Sequence, residues 1–237
     1  MGLGMSNDVM DLKQLASFLG RDARELGKLA NRGYLPGRKV GGEWRFTTAE
    51  IQSWVEDELP RLSEEELCAF DKPLTKPEAH LLVTSLLPVE CIDLTFGART
   101  KSSAIRDLVR LADRSGRLWD LEAIVQAIET REARGTTAWP GGFATPHPHR
   151  RLPFAQGESV IAFARSPGGV AFGAGREGLT DLFFLVCCVD DAEHLRVLSR
   201  LSRLFRRSDF GDALRSAESP HDLLQALSVA ESSLSQV

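Results

Sequence analysis

The 237-residue sequence predicts an α/β fold preceded by a small helical unit that carries a β-hairpin. Beyond about Leu81, helical and strand periodicities alternate, as they do where helices cover a sheet. Before about Glu58 the apolar spacing is helical and is interrupted once by a glycine-rich hairpin signal. Between the two lies a stretch with three consecutive glutamates and three prolines, which reads as a connector. The expected organisation is therefore a first domain at 1–58, an acidic, proline-containing linker at 59–80, and a second domain at 81–237.

Composition narrows the functional classes. The chain is 43% apolar and long enough to bury two cores. It contains no run of 18 apolar residues, and residues 1–10 lack a charged-then-apolar leader pattern, so a cytoplasmic protein without membrane insertion is expected. Cys68, Cys91, Cys187 and Cys188 show no CxxC spacing and read as reduced structural thiols. A formal net charge of -4 excludes a wholly basic nucleic-acid binder but allows a local basic patch.

The first element is a helix. Leu12, Leu15, Ala16 and Leu19 recur at helical spacing, and Gly20 stops the pattern. Asp22 followed by Glu25 is a capping-box signature for a second helix over residues 23–31. Lys39-Val40 and Trp44-Arg45-Phe46 flank the Gly41-Gly42 pair as a small hairpin would. Thr47 with Glu50 repeats the capping signature ahead of Ile51, Trp54 and Val55, which share one helical face. Trp44 and Trp54 belong to these apolar patterns and read as core residues. The connector has a partly helical stretch at residues 64–70.

In the second domain, Ile105, Leu108, Val109 and Ala112 mark one amphipathic helix, and Leu121, Ile124, Val125 and Ile128 another. Strands are expected at 159–165 and 182–189, where β-branched and aromatic residues concentrate. Leu195, Leu198, Leu201, Leu204 and Phe205 give a long helix; Leu223, Leu224 and Leu227 give a final short one. Residues 135–153 are rich in Gly, Pro and His and read as an irregular segment, a usual place for chemistry.

The run Asp11-Leu-Lys-Gln-Leu-Ala-Ser-Phe-Leu-Gly, followed by Leu29-Ala-Asn-Arg-Gly-Tyr-Leu-Pro-Gly-Arg-Lys-Val-Gly-Gly-Glu-Trp-Arg-Phe, resembles the excisionase branch of the MerR-like winged helix-turn-helix proteins. The resemblance spans roughly the first 58 residues and implies that the second helix enters the DNA major groove while the wing touches the backbone or minor groove. Charge agrees with it: Arg21, Arg24, Lys28 and Arg32 fall on or beside the second helix, and Arg38, Lys39 and Arg45 decorate the wing. The candidate DNA-binding residues are Arg24, Lys28, Arg32, Arg38, Lys39 and Arg45. The plainer alternative is a solvated surface on a protein-binding module.

Three further stretches, Thr130-Arg-Glu-Ala-Arg-Gly-Thr-Thr, Gly142-Phe-Ala-Thr-Pro-His, and Asp181-Leu-Phe-Phe-Leu-Val with His194-Leu-Arg-Val-Leu-Ser-Arg-Leu, resemble the fructose/mannitol type of enzyme IIA of the sugar phosphotransferase system, including its nitrogen-regulatory branch. That resemblance implies a mixed β-sheet flanked by helices and a histidine that accepts a phosphoryl group from the phosphocarrier HPr or a relative. It places the acceptor on His147, the assisting histidine on His194 and an assisting arginine on Arg131. The residue types suit the chemistry: imidazole is nucleophilic near neutral pH, and a second histidine and an arginine can bind the transferring oxygens. No metal or organic cofactor is required.

The chain departs from the family pattern at four positions. Ala138 and Pro140 stand where glycines are common, Thr145 replaces a typical apolar residue, and Pro148 follows the acceptor with no amide hydrogen to donate. The expected function is a phosphorylation-responsive regulator that binds DNA through its first domain. The alternatives are a non-catalytic regulatory binding protein with a degenerate domain, and a soluble sugar-transport component. Three histidines, His147, His149 and His194, could in principle ligate metal, but a loop His-Pro-His is a weak metal signal; His80 and His221 have no assigned role. Expected partners are an HPr-type carrier, DNA and other regulatory proteins. A homodimer is compatible with the class, although no long heptad seam imposes one.

Overall fold

The computed structural model describes residues 9–71, 82–173 and 178–234. The chain separates into two compact units, Met1–Lys72 and Pro73–Val237.

In the first unit, α1 (Leu12–Leu19) starts at Asp11, whose carboxylate accepts from the amides of Lys13 and Gln14 while Gln14 reaches back to the Asp11 amide. That reciprocal cap satisfies amides that the first turn would otherwise leave open. Helix α2 (Ala23–Asn31) is capped by Asp22, which accepts from Arg24 and Glu25. The Glu25 carboxylate pairs with Arg21 at 2.8 Å, so the box expected here is a one-sided cap. The wing is β2 (Arg38–Val40) against β3 (Glu43–Thr47), and α3 (Thr48–Glu58) follows the Thr47 cap. A two-residue strand, β1 (Val9–Met10), joins β3 on its other edge and makes a three-stranded antiparallel sheet of order β1-β3-β2. Leu15, Leu19, Leu26, Phe46, Ile51 and Val55 are buried and form this unit's core. Trp44 is half-buried and stacks on Phe46 with centroids 5.9 Å apart; Trp54 is also half-buried.

Part of the stretch read as a connector is a full helix, α4 (Glu64–Asp71). Ser63 and Glu66 form its reciprocal cap, and Glu66 also pairs with Arg21 at 3.2 Å, which ties α4 to the start of α2. Three glutamates in its first turn complement the positive end of the helix dipole.

The second unit begins with a short helix α5 (Leu82–Ser85), a 3-10 turn at Val89–Cys91 and strand β4 (Ile92–Asp93). Helices α6 (Lys101–Asp113) and α7 (Leu121–Arg134) follow the two amphipathic patterns closely. The remaining elements are β5 (Ala138–Trp139), β6 (Phe143–Ala144), β7 (Val160–Val170), β8 (Thr180–Cys187), α8 (Asp191–Phe205), α9 (Phe210–Ser216) and α10 (Pro220–Leu234). The sheet order is β4-β7-β8-β6-β5, with β4/β7 and β6/β8 parallel and β7/β8 and β5/β6 antiparallel. This is a mixed sheet flanked by helices.

Strands β7 and β8 are central, and their near-continuous apolar runs reflect burial on both faces. Phe163 packs edge-on against Phe184 at 5.0 Å, and Phe143 of β6 stacks on Phe205 of α8 at 4.2 Å. Two expectations change. Residues 135–153, read as irregular, contain the edge hairpin β5–β6, and the final helix, expected to be short, runs for 15 residues. A buried carboxylate on that helix, Glu231, accepts from the amides of Val83 and Thr84 and pairs with Arg200. The cysteines are free thiols, and burial pushes Cys187 up to about 12.

Candidate functional site

The segment that carries His147 runs along the edge of β8. Ala138 pairs with Ala144 and Trp139 with Phe143 across the β5–β6 hairpin, and the Thr145 amide extends the ladder to the Thr137 carbonyl at 3.0 Å. On its other side β6 lies parallel to β8, and the Val186 amide donates to the Pro146 carbonyl at 2.9 Å. His147 therefore emerges at the carboxyl ends of two parallel strands, the position where open α/β sheets characteristically place ligands.

Two hydrogen bonds orient the segment locally. The indole Nε1 of Trp139 donates to Thr145 Oγ1 at 2.9 Å, so the hydroxyl that replaces an apolar side chain has a defined partner. The Thr145 carbonyl lies 2.7 Å from His147 Nδ1. A carbonyl can only accept, so Nδ1 carries the proton and, in the neutral ring, Nε2 holds the lone pair. Ala138 sits in a strand and Pro140 on the exposed turn, so neither departure disturbs the hairpin.

His194 arrives from α8. The helix starts at Asp190, which caps the Glu193 amide, and the His194 amide donates to the Asp190 carbonyl at 3.0 Å. This places the imidazole in the first turn, with its centroid 5.0 Å from that of His147 and the rings inclined by 63°. His147 is 2% and His194 5% exposed. Beside them, Asp191 pairs with Arg151 at 3.0 Å; burial raises its carboxyl, while Arg151 and His194 pull it down.

Arg131 is held in the last turn of α7, buried, with Nη1 donating to the Gly135 carbonyl at 3.1 Å. The next residue, Glu132, accepts from the Thr137 amide and hydroxyl and pairs with Lys101 Nζ at 2.6 Å. Thr137 in turn carries the ladder bond to Thr145. The two predicted histidines are thus brought together, and Arg131 is placed at the root of the hairpin that carries one of them. Glu132, Lys101, Trp139 and Thr145 support the site without having been singled out for that role, because one-to-one side-chain partnerships leave no periodic signal. His149 lies against the Arg134 guanidinium, with Nδ1 at 3.0 Å. His80 falls outside the described residues, and His221 is exposed on α10.

In the first unit, Arg24, Lys28 and Arg32 recur every fourth residue along α2 and its C-cap, which puts them on one exposed face. Arg38 and Lys39 are exposed on β2, with Lys39 Nζ 5.2 Å from the Trp44 ring centre. Arg45, opposite Arg38 in the ladder, is half-buried; it donates to the Trp44 carbonyl and lies 3.6 Å from Glu43. Arg21 departs from the expected basic cluster, since Glu25 and Glu66 both neutralise it.

Comparison with known proteins accords with both units. Residues 9–58 match the family described as helix-turn-helix domain. A fructose-specific EIIA component of the phosphotransferase system from Haloferax volcanii is 33% identical over 147 residues, covering 61% of this chain and 94% of that protein. A nitrogen regulatory protein of Bradyrhizobium diazoefficiens is 28% identical over 151 residues, covering 62% and 95% respectively. The crystal structure of nitrogen regulatory protein IIA-Ntr from Neisseria meningitidis superposes with a TM-score of 0.56 at 25% identity, over 62% of this chain and 99% of that one. Residues 85–229 match the family of phosphoenolpyruvate-dependent sugar phosphotransferase system EIIA 2 domains, and the chain, with its mixed sheet and paired histidines, belongs to that family.

Proposed function

We propose that His147 accepts a phosphoryl group on Nε2 from an HPr-type phosphocarrier, and that the protein is a regulator whose first unit binds DNA and whose output depends on that modification. The observation that carries the reading is the fixed tautomer of His147 beside His194.

In the transfer, the Nε2 lone pair attacks the phosphorus of the carrier's phosphoramidate. The new N–P bond forms as the carrier's N–P bond breaks, and the bonding pair returns to the carrier imidazole. The His147 ring gains positive charge, which the Thr145 carbonyl stabilises through Nδ1–H. His194 and Arg131 bind the equatorial oxygens.

DNA contact is assigned to Arg24, Lys28, Arg32, Arg38, Lys39 and Arg45, with α2 in the major groove and the wing on the backbone. The phosphoryl group adds charge and acceptor oxygens, the usual means by which such a modification changes a docking equilibrium. Pro148 favours a second reading, a non-catalytic binding protein, because an amide hydrogen is missing beside the acceptor.

Incubation with phosphoenolpyruvate, enzyme I and the cognate carrier should give acid-labile label on the intact protein and none on His147→Ala. Equal labelling of the two, or no label on a protein whose His147 reacts readily with diethyl pyrocarbonate, would leave the second reading standing.

A further inference from the structure

The turn between β5 and β6 is Pro140-Gly141-Gly142, and both glycines lie in the left-handed region, at φ +83° and +87°. The two glycines offer no side chain to hold the turn, and a hairpin with two residues per strand is not stable alone. Its support comes from far along the chain. Arg215, in the last turn of α9, donates from Nη2 to the Gly141 carbonyl at 2.6 Å. The same guanidinium grips Asp181 in a bidentate pair, Nε to Oδ2 at 2.7 Å and Nη2 to Oδ1 at 2.9 Å. Asp181 is the second residue of β8, and its amide and that of Leu182 donate to the Gly142 carbonyl at 2.9 and 3.0 Å. A Cβ on Gly142 would lie 2.3 Å from Asp181 Oδ1 and 2.9 Å from Arg215 Nη2, so the ion pair closes directly over the bare α-carbon.

We infer that the Asp181–Arg215 pair is a positioning device for the acceptor histidine, setting the register of the β6 segment on β8 and hence the placement of the His147 ring. The β6–β8 ladder holds the segment on β8, with this clamp at its turn end and the Val186–Pro146 hydrogen bond just before His147. His194 rides on α8, which follows from the far end of the same strand. Both histidines are therefore measured from β8, and the clamp fixes the origin for one of them. A lysine cannot hold a carboxylate in a two-toothed grip and a carbonyl at once, so geometry and charge can be separated at this position.

The test uses the full chain, 15N-labelled, as wild type, Arg215→Lys, Asp181→Asn and the double variant. Histidine ring spectra report the His147 tautomer, assigned by its loss in His147→Gln. The expected result is a single Nδ1–H tautomer in the wild type and mixed tautomers in both single variants, with the double variant no worse than either. The inference also rests in one readout on the acceptor assignment: transfer at saturating carrier should fall about tenfold in each variant while the half-saturating carrier concentration stays constant. Unchanged His147 signals in folded Arg215→Lys and Asp181→Asn would overturn the inference. So would additive losses in the double variant, because a single clamp cannot be broken twice. If the wild type takes no label at all, the acceptor assignment falls, while the tautomer spectra still decide the clamp.

Discussion

The Thr145 carbonyl accepts the Nδ1 hydrogen of His147 at 2.7 Å and leaves the lone pair of the neutral ring on Nε2. The side chain of the same residue accepts the Trp139 indole. One threonine thus joins the hairpin's packing to the chemistry of the ring.

Phosphorylated protein should carry its phosphate on Nε2. Long-range 15N–31P coupling identifies the nitrogen directly; phosphate on Nδ1 would contradict the tautomer assignment and the mechanism built on it.

Thr145→Val removes the acceptor for Trp139 Nε1 but keeps the carbonyl that binds His147. Loss of this half-buried hydrogen bond should cost about 1 kcal/mol in denaturant unfolding and shift Trp139 emission, while the His147 tautomer stays as it is. A changed tautomer would mean that the side chain, rather than the backbone, orients the ring.

Lys101→Ala removes the cation paired with the buried Glu132 carboxylate and leaves its Thr137 donors in place. A destabilisation of about 1–3 kcal/mol is expected in chemical unfolding, since Glu132 keeps its desolvation cost without its cation. Glu132→Gln should cost less than Lys101→Ala, because it removes the charge that needs a partner.

DNA affinity should be strongly salt-dependent. If about four phosphates are neutralised, the log–log slope is about -3.6, and Arg24→Ala or Lys28→Ala should each reduce its magnitude by about 0.9. Arg21→Ala should leave the slope unchanged, because Glu25 and Glu66 already hold that guanidinium. Equal effects at Arg21 and Arg24, measured by fluorescence anisotropy across a salt series, would argue for a diffuse basic surface.

Alkaline stability follows from the thiols. Burial raises Cys187 to about 12, and burial with Glu90 raises Cys91 to about 11, both from 9.0. The unfolded chain releases these protons first, so the folded state binds more protons above pH 9 and stability must fall as pH rises. The loss should run from pH 9 to about 11 for Cys91 and to about 12 for Cys187, and Cys91→Ala with Cys187→Ala should flatten that limb of the pH–stability curve. At pH 8, a disulfide reagent should modify half-exposed Cys68 first.

Some of the architecture was legible because local periodicity reports which face of an element is buried. The spacing of Ile105, Leu108, Val109 and Ala112 announces α6, and the unbroken run from Leu182 to Val186 announces a strand covered on both sides. The hairpin β5–β6 and the strand β1 were not legible, since two residues cannot display a period. Glu25 and Arg21 mislead for a related reason: a side chain's partner is chosen by what lies nearby in space, and Glu66 on α4 is invisible from residue 21.

The sequence alone determined the family resemblance, the two-part organisation of elements and the acceptor candidate at Pro146-His147, all of which depend on residue type and short-range order. Only the tertiary structure decided that His194 stands 5.0 Å from His147, that Nδ1 is the protonated nitrogen, and that Arg215 closes over Gly142. Those relationships arise from sheet order, which lays β6 beside β8 and so brings together groups that no local pattern connects.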